Sequence, residues 1–245
     1  MQVRARETHR RNEMEPQHKS AHRFGAPRYS TVKLLVALGL LFVFTPFIED
    51  LPRGDLIEAL LLTLVMVSSV LAVGARRRHL IIALVLVIPA AVGKWINHLR
   101  PDLLPPEVFL IATVVFFGFV LSHLLRFIVR APQVNMEVLC AGVAGFLMLG
   151  LLWTPVYLLV ARLDQGAFTT PAGSALNGFN AFYFSFITLC TVGYGDIMPV
   201  SKIARMLAVT EAITGLFYMA VLISRLVSVY SSTKPAAESD NGDER

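Results

Sequence analysis

The nine residues 188–196 combine glycine spacing with carbonyl and hydroxyl oxygens in a pattern that suits a cation site; their order is Thr-Leu-Cys-Thr-Val-Gly-Tyr-Gly-Asp. Glycine at positions 193 and 195 tolerates left-handed backbone at little steric cost, so successive carbonyl oxygens can be turned toward one axis. The Thr191 hydroxyl adds one more oxygen ligand. A row of oxygens of this kind can replace the hydration shell of a metal cation.

A single row of carbonyl oxygens encloses only one side of an ion. A complete cage therefore requires several copies of the row around a common axis, and we predict a homotetramer. Val192 and Tyr194 are then expected to project away from the axis and brace the wall. The predicted ion-binding residues are Thr191, Val192, Gly193, Tyr194 and Gly195, with the ion held at the levels of Thr191, Val192, Gly193 and Tyr194.

The composition indicates a membrane protein. Of the 245 residues, 55% are hydrophobic and 16% are charged, an apolar share above that of typical soluble domains. A helix needs about 20 apolar residues to cross the roughly 30 Å hydrocarbon core of a bilayer. We therefore predict an all-α membrane protein with six transmembrane helices. Their predicted bounds are residues 32–48, 56–75, 80–96, 108–129, 136–160 and 203–229.

Residues 179–189 are apolar and aromatic, but they form only about half of the length that a crossing requires. We predict a re-entrant pore helix here, between the fifth and sixth transmembrane helices. It lies directly before the predicted ion-binding residues 191–195, which we call the filter. The negative C-terminal end of this short helix would favour a cation on the central axis.

The basic residues favour a topology with both termini in the cytoplasm. The formal net charge is +5, yet the basic residues flank apolar runs instead of forming a stripe on a soluble domain, so nucleic acid is not an expected partner. They cluster before residue 30, at residues 76–78 and at residues 126–130, and such clusters favour the cytoplasmic side. The segment 162–202 then lies outside, and the expected location is the plasma (cell inner) membrane, in contact with lipid.

Residues 181–199 resemble the pore loop of the tetrameric potassium-channel superfamily, and the likeness extends over residues 136–230. Arg205 lies six residues after Pro199 and Gly215 sixteen after it, as in the small bacterial two-helix potassium channels. The resemblance implies passive, potassium-selective conduction by a homotetramer, with K+ as the permeant ion and no cofactor. It also implies that Gly215 lets the inner helix bend as a gating hinge.

The first four helices resemble the voltage-sensing domain of six-helix channels only in number. A sensor needs several positive residues on its fourth helix, because each charge that crosses the field gains only about 2.3 kcal/mol per 100 mV. Residues 108–122 contain no arginine or lysine. We therefore expect weak or absent voltage sensing.

Three residues beside the filter are predicted to support it: Tyr183, Thr188 and Asp196. Ile187 stands where some bacterial members of the superfamily carry a glutamate that pairs with the residue matching Asp196, and isoleucine cannot form that pair. Tyr183 lies at a matching aromatic position. We hypothesise that its hydroxyl hydrogen-bonds Asp196 and braces the filter.

The last helix holds further candidates. Glu211 is an acid within an apolar helix, and such a residue is usually either paired or functional. It forms either a hydrogen bond or ion pair with a neighbouring segment, or a pH-sensitive contact near the pore. Leu216, Met219 and Ile223 recur at helical spacing, and they either line a central cavity or pack against the fifth helix.

The chain divides into four predicted regions. Residues 1–30 form a disordered basic cytoplasmic tail, 31–130 a four-helix transmembrane domain, 131–230 the pore domain, and 231–245 a disordered cytoplasmic tail. The last tail is too short for a ligand-binding domain, so the sequence does not indicate what opens the pore. No nucleophile, base and orienting acid converge in the sequence, so we do not expect an enzyme.

Three alternatives to a selective channel stay open. A poorly selective cation channel would share the fold, although Tyr194 and Gly195 complete the selective sequence. A potassium transporter usually carries several degenerate pore loops in one chain, whereas this chain carries one intact loop. A nonconducting regulatory subunit would assemble with other channel chains, and conduction by the purified chain would exclude it.

Overall fold

The computed structural model describes residues 30–48, 51, 53–73, 77–100, 102–133, 135–171, 173 and 175–232, with side chains up to residue 227. Within these ranges the regular secondary structure is helical apart from one pair of two-residue strands. The elements in chain order are α1 (Ser30–Ile48), α2 (Gly54–Val73), α3 (Arg77–Leu99), α4 (Pro106–Arg130), α5 (Met136–Leu163), β1 (Phe168–Thr169), α6 (Gly178–Leu189), β2 (Met198–Pro199) and α7 (Lys202–Ser232).

Six of these helices, α1 to α5 and α7, are long and apolar enough to cross a membrane. The prediction of an all-α membrane protein with six transmembrane helices is therefore confirmed, and the bounds agree to within three residues at each end. Helix α7 extends to Ser232, two residues into the region predicted as a tail. The rest of both predicted tails, residues 1–29 and 233–245, lies outside the described residues.

The basic cluster after α2 differs from its prediction. Arg77, Arg78 and His79 lie in the first turn of α3, whereas the sequence pattern places them in the connection before a helix that begins at residue 80. Long basic side chains can reach polar surroundings from a helix end while their stems cover apolar surface. Their charges therefore do not force the helix to begin later.

Helices α1 to α4 pack as neighbours in chain order, and α1 and α4 also contact α5. Polar contacts link two of the four helices, α2 and α3, near one end. Lys94 Nζ on α3 lies 3.0 Å from Glu58 Oε1 on α2, and the Trp95 indole donates to the Thr63 hydroxyl over 3.2 Å. The fully buried large side chains of this half include Leu34, Val65, Val73, Phe116, Phe117, Val120 and Leu124.

Glycines on α5 allow α6 and α7 to approach closely. A Cβ atom at Gly142 would lie 2.8 Å from Leu222 Cδ1 of α7, and one at Gly150 would lie 2.6 Å from the Phe186 ring of α6. The Tyr218 hydroxyl of α7 donates to the Gly142 carbonyl over 2.7 Å. Small residues at helix contacts are common in membrane bundles, because they bring backbones together. Helix α5 thus provides the surface on which α6 and α7 pack.

The strands β1 and β2 join the segment before α6 to the segment after the filter. Phe168 pairs with Pro199 and Thr169 with Met198, in antiparallel register. The Val200 N–H also donates to the Ala167 carbonyl over 2.8 Å. The segment before α6 and the segment after the predicted filter are therefore held side by side.

Candidate functional site

Helix α6 has defined caps at both ends. At its N-terminus the Asn177 side chain accepts a hydrogen bond from the Asn180 N–H over 2.7 Å, which satisfies a donor that lacks an intrahelical partner. At its C-terminus the Cys190 N–H donates to the Phe186 carbonyl over 3.0 Å. The helix has 12 residues, too few to cross a bilayer. It ends where the predicted filter begins.

Backbone hydrogen bonds attach the first part of the filter to the last turn of α6. The Ile187 carbonyl accepts from the N–H groups of Val192 at 2.8 Å and Gly193 at 3.2 Å, and the Thr188 carbonyl accepts from Thr191 N at 2.9 Å. The sequence pattern drew attention only to the side chain of Ile187. Its backbone oxygen is the group that contacts the filter, and no residue type could have revealed this contact.

The filter backbone alternates in handedness. Thr191, Gly193 and Gly195 have positive φ angles of 57°, 53° and 81°, and the residues between them do not. This is the alternation that the two glycines predict. Thr191 was not predicted to be left-handed, although the spacing of two residues from Gly193 was a signal for it. Left-handed backbone is uncommon for a β-branched residue, so Thr191 is held there by its surroundings.

Asp196 is hydrogen-bonded on both carboxylate oxygens. The Tyr183 hydroxyl donates to Oδ2 over 2.8 Å, and the Ile197 N–H donates to Oδ1 over 3.0 Å. The hydrogen bond to Asp196 raises the pKa of Tyr183 from 10.0 to about 12. Tyr183 is therefore a neutral donor at physiological pH. The hypothesised contact between these two side chains is present, and its role in conduction stays a prediction.

The filter residues lie at the surface of the single chain. Thr191, Val192, Gly193, Tyr194 and Gly195 are all exposed. The exposed fraction is 51% for Val192 and 73% for Tyr194, so these large side chains are not covered by their own chain. Their predicted task of bracing the filter wall would require a neighbouring surface.

The inner-helix candidates separate into buried and exposed positions on α7. Gly215 is buried against Leu189, the last residue of α6. Leu216, Met219 and Ile223 are exposed, at 60%, 40% and 53%, while Tyr218 of the same helix packs against α5. The contacts of α7 with α5 that the structure shows are made by Tyr218 and Leu222. The role of the three exposed candidates in lining a cavity stays a prediction.

Glu211 is fully buried and hydrogen-bonded. Its Oε1 lies 2.6 Å from the Ser185 hydroxyl of α6, and its Oε2 accepts from the Tyr157 hydroxyl of α5. The hydrogen-bonded alternative is therefore confirmed for this residue. Sequence reasoning missed its partners Tyr157 and Ser185, because a single polar residue on each of three separate helices gives no spacing signal.

Residues 145–232 match the family profile described as ion channel. The matched region runs from α5 to the end of α7 and contains α6 and the filter. The family is one of channels and not of enzymes, in agreement with the expectation from the sequence.

Three curated relatives illustrate the similarity. Two pore potassium channel c of Oryza sativa subsp. japonica is 38% identical over 63 residues, 26% of this chain and 14% of that protein. Voltage-gated potassium channel Kch of Escherichia coli (strain K12) is 31% identical over 103 residues, covering 31% of this chain and 25% of that protein. Protein LctB of Geobacillus stearothermophilus is 34% identical over 88 residues, covering 34% of this chain and 63% of that protein.

The chain thus spans less than two thirds of the length of each of these relatives. No solved structure matches it. The family match over residues 145–232 and the similarity to proteins named as potassium channels agree with the resemblance that the sequence predicts.

Proposed function

We propose that four copies of this chain form a potassium-selective channel that conducts K+ passively across a membrane. The observation that carries this proposal is the alternating left-handed backbone at Thr191, Gly193 and Gly195, directly after a half-length helix. Carbonyl oxygens at the levels of Thr191 to Tyr194 would replace the hydration shell of the ion. Similarity to proteins named as potassium channels supports the choice of ion.

The homotetramer is part of the same proposal. One chain supplies carbonyls on one side of an ion only, and the exposed Val192 and Tyr194 side chains lack a cover from their own chain. Neighbouring subunits around a fourfold axis would supply both the remaining oxygens and the cover. In this arrangement the exposed positions Leu216, Met219 and Ile223 of α7 line the cavity below the filter.

The proposed membrane placement follows from the charges. Both termini lie on the cytoplasmic side of a plasma membrane, because clusters of basic residues favour that side. Residues 31–130 form a four-helix domain and residues 131–230 the pore domain, each embedded in lipid. The N-terminal fifteen residues of α4, from Pro106 to Val120, carry Glu107 and no basic residue, which supports weak or absent voltage sensing.

The proposal is tested with the purified chain in liposomes, by comparing efflux of K+ and Na+ and by measuring the mass of the assembly. Gly195→Ala places a side chain on left-handed backbone with a φ of 81°, at a cost of about 1–2 kcal/mol per chain. We expect at least about a tenfold loss of K+ efflux, since 1.4 kcal/mol corresponds to tenfold. Gly39→Ala on α1 is the matched control, because a Cβ there meets no atom within 4 Å.

Each rival predicts a different result. Equal efflux of Na+ and K+ would indicate a poorly selective channel. An assembly without any flux would indicate a regulatory subunit. A monomer that moves K+ only in exchange for, or together with, another ion would indicate a transporter.

A further inference from the structure

Glu211 lies where the three helices of the pore region meet. It belongs to α7, its carboxyl group contacts Tyr157 of α5 and Ser185 of α6, and its exposed fraction is 0%. Within the described residues the only salt bridge joins Lys94 to Glu58. Glu211 therefore has no cationic partner there. An ionised carboxylate buried without a cation is strongly unfavourable.

The contacts of Ser185 determine which oxygen atoms of the cluster must carry a proton. Ser185 Oγ lies 2.6 Å from Glu211 Oε1 and 2.8 Å from the Gly150 carbonyl of α5. A hydroxyl has one proton to donate. If Ser185 donates to an ionised Glu211, two oxygens without a proton between them face each other at 2.8 Å, at Ser185 and Gly150. Such a contact is repulsive.

A proton on Glu211 removes this conflict. Glu211 Oε1 then donates to Ser185, Ser185 donates to the Gly150 carbonyl, and Tyr157 donates to Glu211 Oε2. Each of the three close oxygen pairs now has one proton. The arrangement satisfies every buried hydroxyl and carboxyl oxygen in the cluster, as buried polar groups require.

From this geometry we propose that Glu211 is a neutral carboxylic acid that fastens α6 to α5 and α7, and that it thereby positions the filter. The neutral state of Glu211 follows from the geometry of its hydrogen bonds. Its role in positioning the filter rests on the proposed channel function. Glu211 acts through α6 and does not contact the ion, so it is a positioning residue.

The register of the two helices explains how the position of α6 reaches the filter. Ser185 and Leu189 are one turn apart on α6, and they contact Glu211 and Gly215, which are one turn apart on α7. Ile187 lies between the two contacts, and its carbonyl holds the N–H groups of Val192 and Gly193. A displacement of α6 at Ser185 therefore moves the backbone of the filter.

Within the described part of the chain, the ionisable side chains near Glu211 are Tyr157 of α5 and, more distantly, Cys190 after α6. Neither a phenol nor a thiol can carry a positive charge. Ser185 adds a hydroxyl. A negative charge at Glu211 would thus be opposed by burial and balanced by no cation. The cluster therefore depends on the hydrogen bonds of residue 211 and not on a charge at this position.

Infrared difference spectroscopy tests the protonation state without any need for conduction. The purified wild-type chain at pH 7 should show the carbonyl stretch of a protonated carboxylic acid, which shifts in D2O. The band should be absent in Glu211→Gln and shifted in Ser185→Ala, which loses one partner. A wild-type spectrum without a band that depends on Glu211 would overturn the inference.

Two variants of similar size then separate hydrogen bonding from charge. Glu211→Gln keeps one acceptor for Tyr157 and gains a donor for Ser185, so K+ efflux should stay within about threefold of wild type. Glu211→Leu loses both contacts, and efflux should fall at least about tenfold. The assembled mass of each variant is measured first, and Ser185→Ala provides a milder loss of the same contact if the leucine variant does not fold.

The outcomes are distinguishable. Loss of efflux in Glu211→Gln with an intact assembly would show that the acid itself is required, and full efflux in folded Glu211→Leu and Ser185→Ala would show that the cluster does not position the filter. Either result overturns the positioning role. Absence of K+ efflux in the wild type would instead contradict the proposed function, and the infrared band would still decide the protonation state.

Discussion

Gly215 of α7 lies directly against the backbone of Leu189, the last residue of α6: a Cβ atom at position 215 would be 2.5 Å from the Leu189 carbonyl oxygen and 2.9 Å from Leu189 Cδ1. The first contact is with backbone, which cannot rotate away as a side chain can. Gly215 therefore has a packing reason for being glycine, in addition to the hinge role that the family resemblance implies.

Alanine at position 215 distinguishes the packing role from the hinge role. If close packing dominates, Gly215→Ala forces α6 and α7 apart, and we expect the thermal unfolding midpoint of the assembly to fall together with K+ efflux. If bending dominates, alanine should leave stability unchanged or raise it, because it is a better helix former than glycine by about 1 kcal/mol. The measurement is the unfolding midpoint in detergent at fixed K+.

The control for this experiment is Gly39→Ala on α1, where a Cβ has open space within 4 Å. It carries the same change in helix propensity without the contact. An unfolding midpoint that rises equally in Gly215→Ala and Gly39→Ala would contradict the packing role of Gly215.

Removing the Tyr183 hydroxyl should weaken the filter. Tyr183→Phe keeps the ring but loses the 2.8 Å hydrogen bond to Asp196, so we expect conduction to decline about threefold faster during a recording. Stationary and single-channel recordings in planar bilayers measure this decline. Open times identical to those of the wild type would show that the hydrogen bond does not support the filter.

The same hydrogen bond sets an expected dependence on pH. Its donor is neutral Tyr183, whose pKa is raised to about 12 by Asp196. Its contribution to stability is therefore fully present below pH 10, the ordinary pKa of tyrosine, and is lost as the pH rises through about 12. Between pH 6 and 9 the difference between wild type and Tyr183→Phe should be constant, and a difference that vanishes in that range would contradict this assignment.

The left-handed backbone of Thr191 makes a prediction about two variants that both lack the hydroxyl. Glycine adopts a φ of 57° freely, whereas alanine does so at a cost of about 1 kcal/mol. Assemblies of Thr191→Gly should therefore unfold at a higher temperature than those of Thr191→Ala, while both bind K+ more weakly than wild type. An alanine variant as stable as the glycine variant would show that residue 191 does not need left-handed backbone.

Arg225 links the end of α7 to the connection between α4 and α5. Its guanidinium donates to the Ala131 carbonyl, and both residues are at least partly buried. Arg225→Met removes this link and should lower the free energy of unfolding by about 1–3 kcal/mol. Lys202→Met, at an exposed position near the start of α7, is the control and should change it by less than about 0.5 kcal/mol. Equal effects would contradict a specific role for Arg225.

Much of the fold was predictable because the bilayer imposes a length and an apolar composition on every spanning helix. The six long helices and the half-length α6 follow from apolar runs alone. The basic residues at the start of α3 were misplaced because hydropathy does not register the apolar stems of arginine side chains.

The site was predictable where residue type fixes backbone, and less so elsewhere. Gly193 and Gly195 predict left-handed positions, and Tyr183 was matched to Asp196 by position in the family. The Ile187 carbonyl and the Tyr157–Glu211–Ser185 cluster depend on how three helices pack. Contacts between backbone groups, or between isolated polar residues far apart in the chain, leave no local pattern in a sequence.

The most direct test of the account is the reversal potential of the purified wild-type chain in a planar bilayer with K+ on one side and Na+ on the other. Carbonyl oxygens arranged around the filter axis should favour K+ strongly, so the current should reverse close to the K+ equilibrium potential. A reversal potential near zero, with measurable current in both directions, would contradict a potassium-selective filter at residues 191–195.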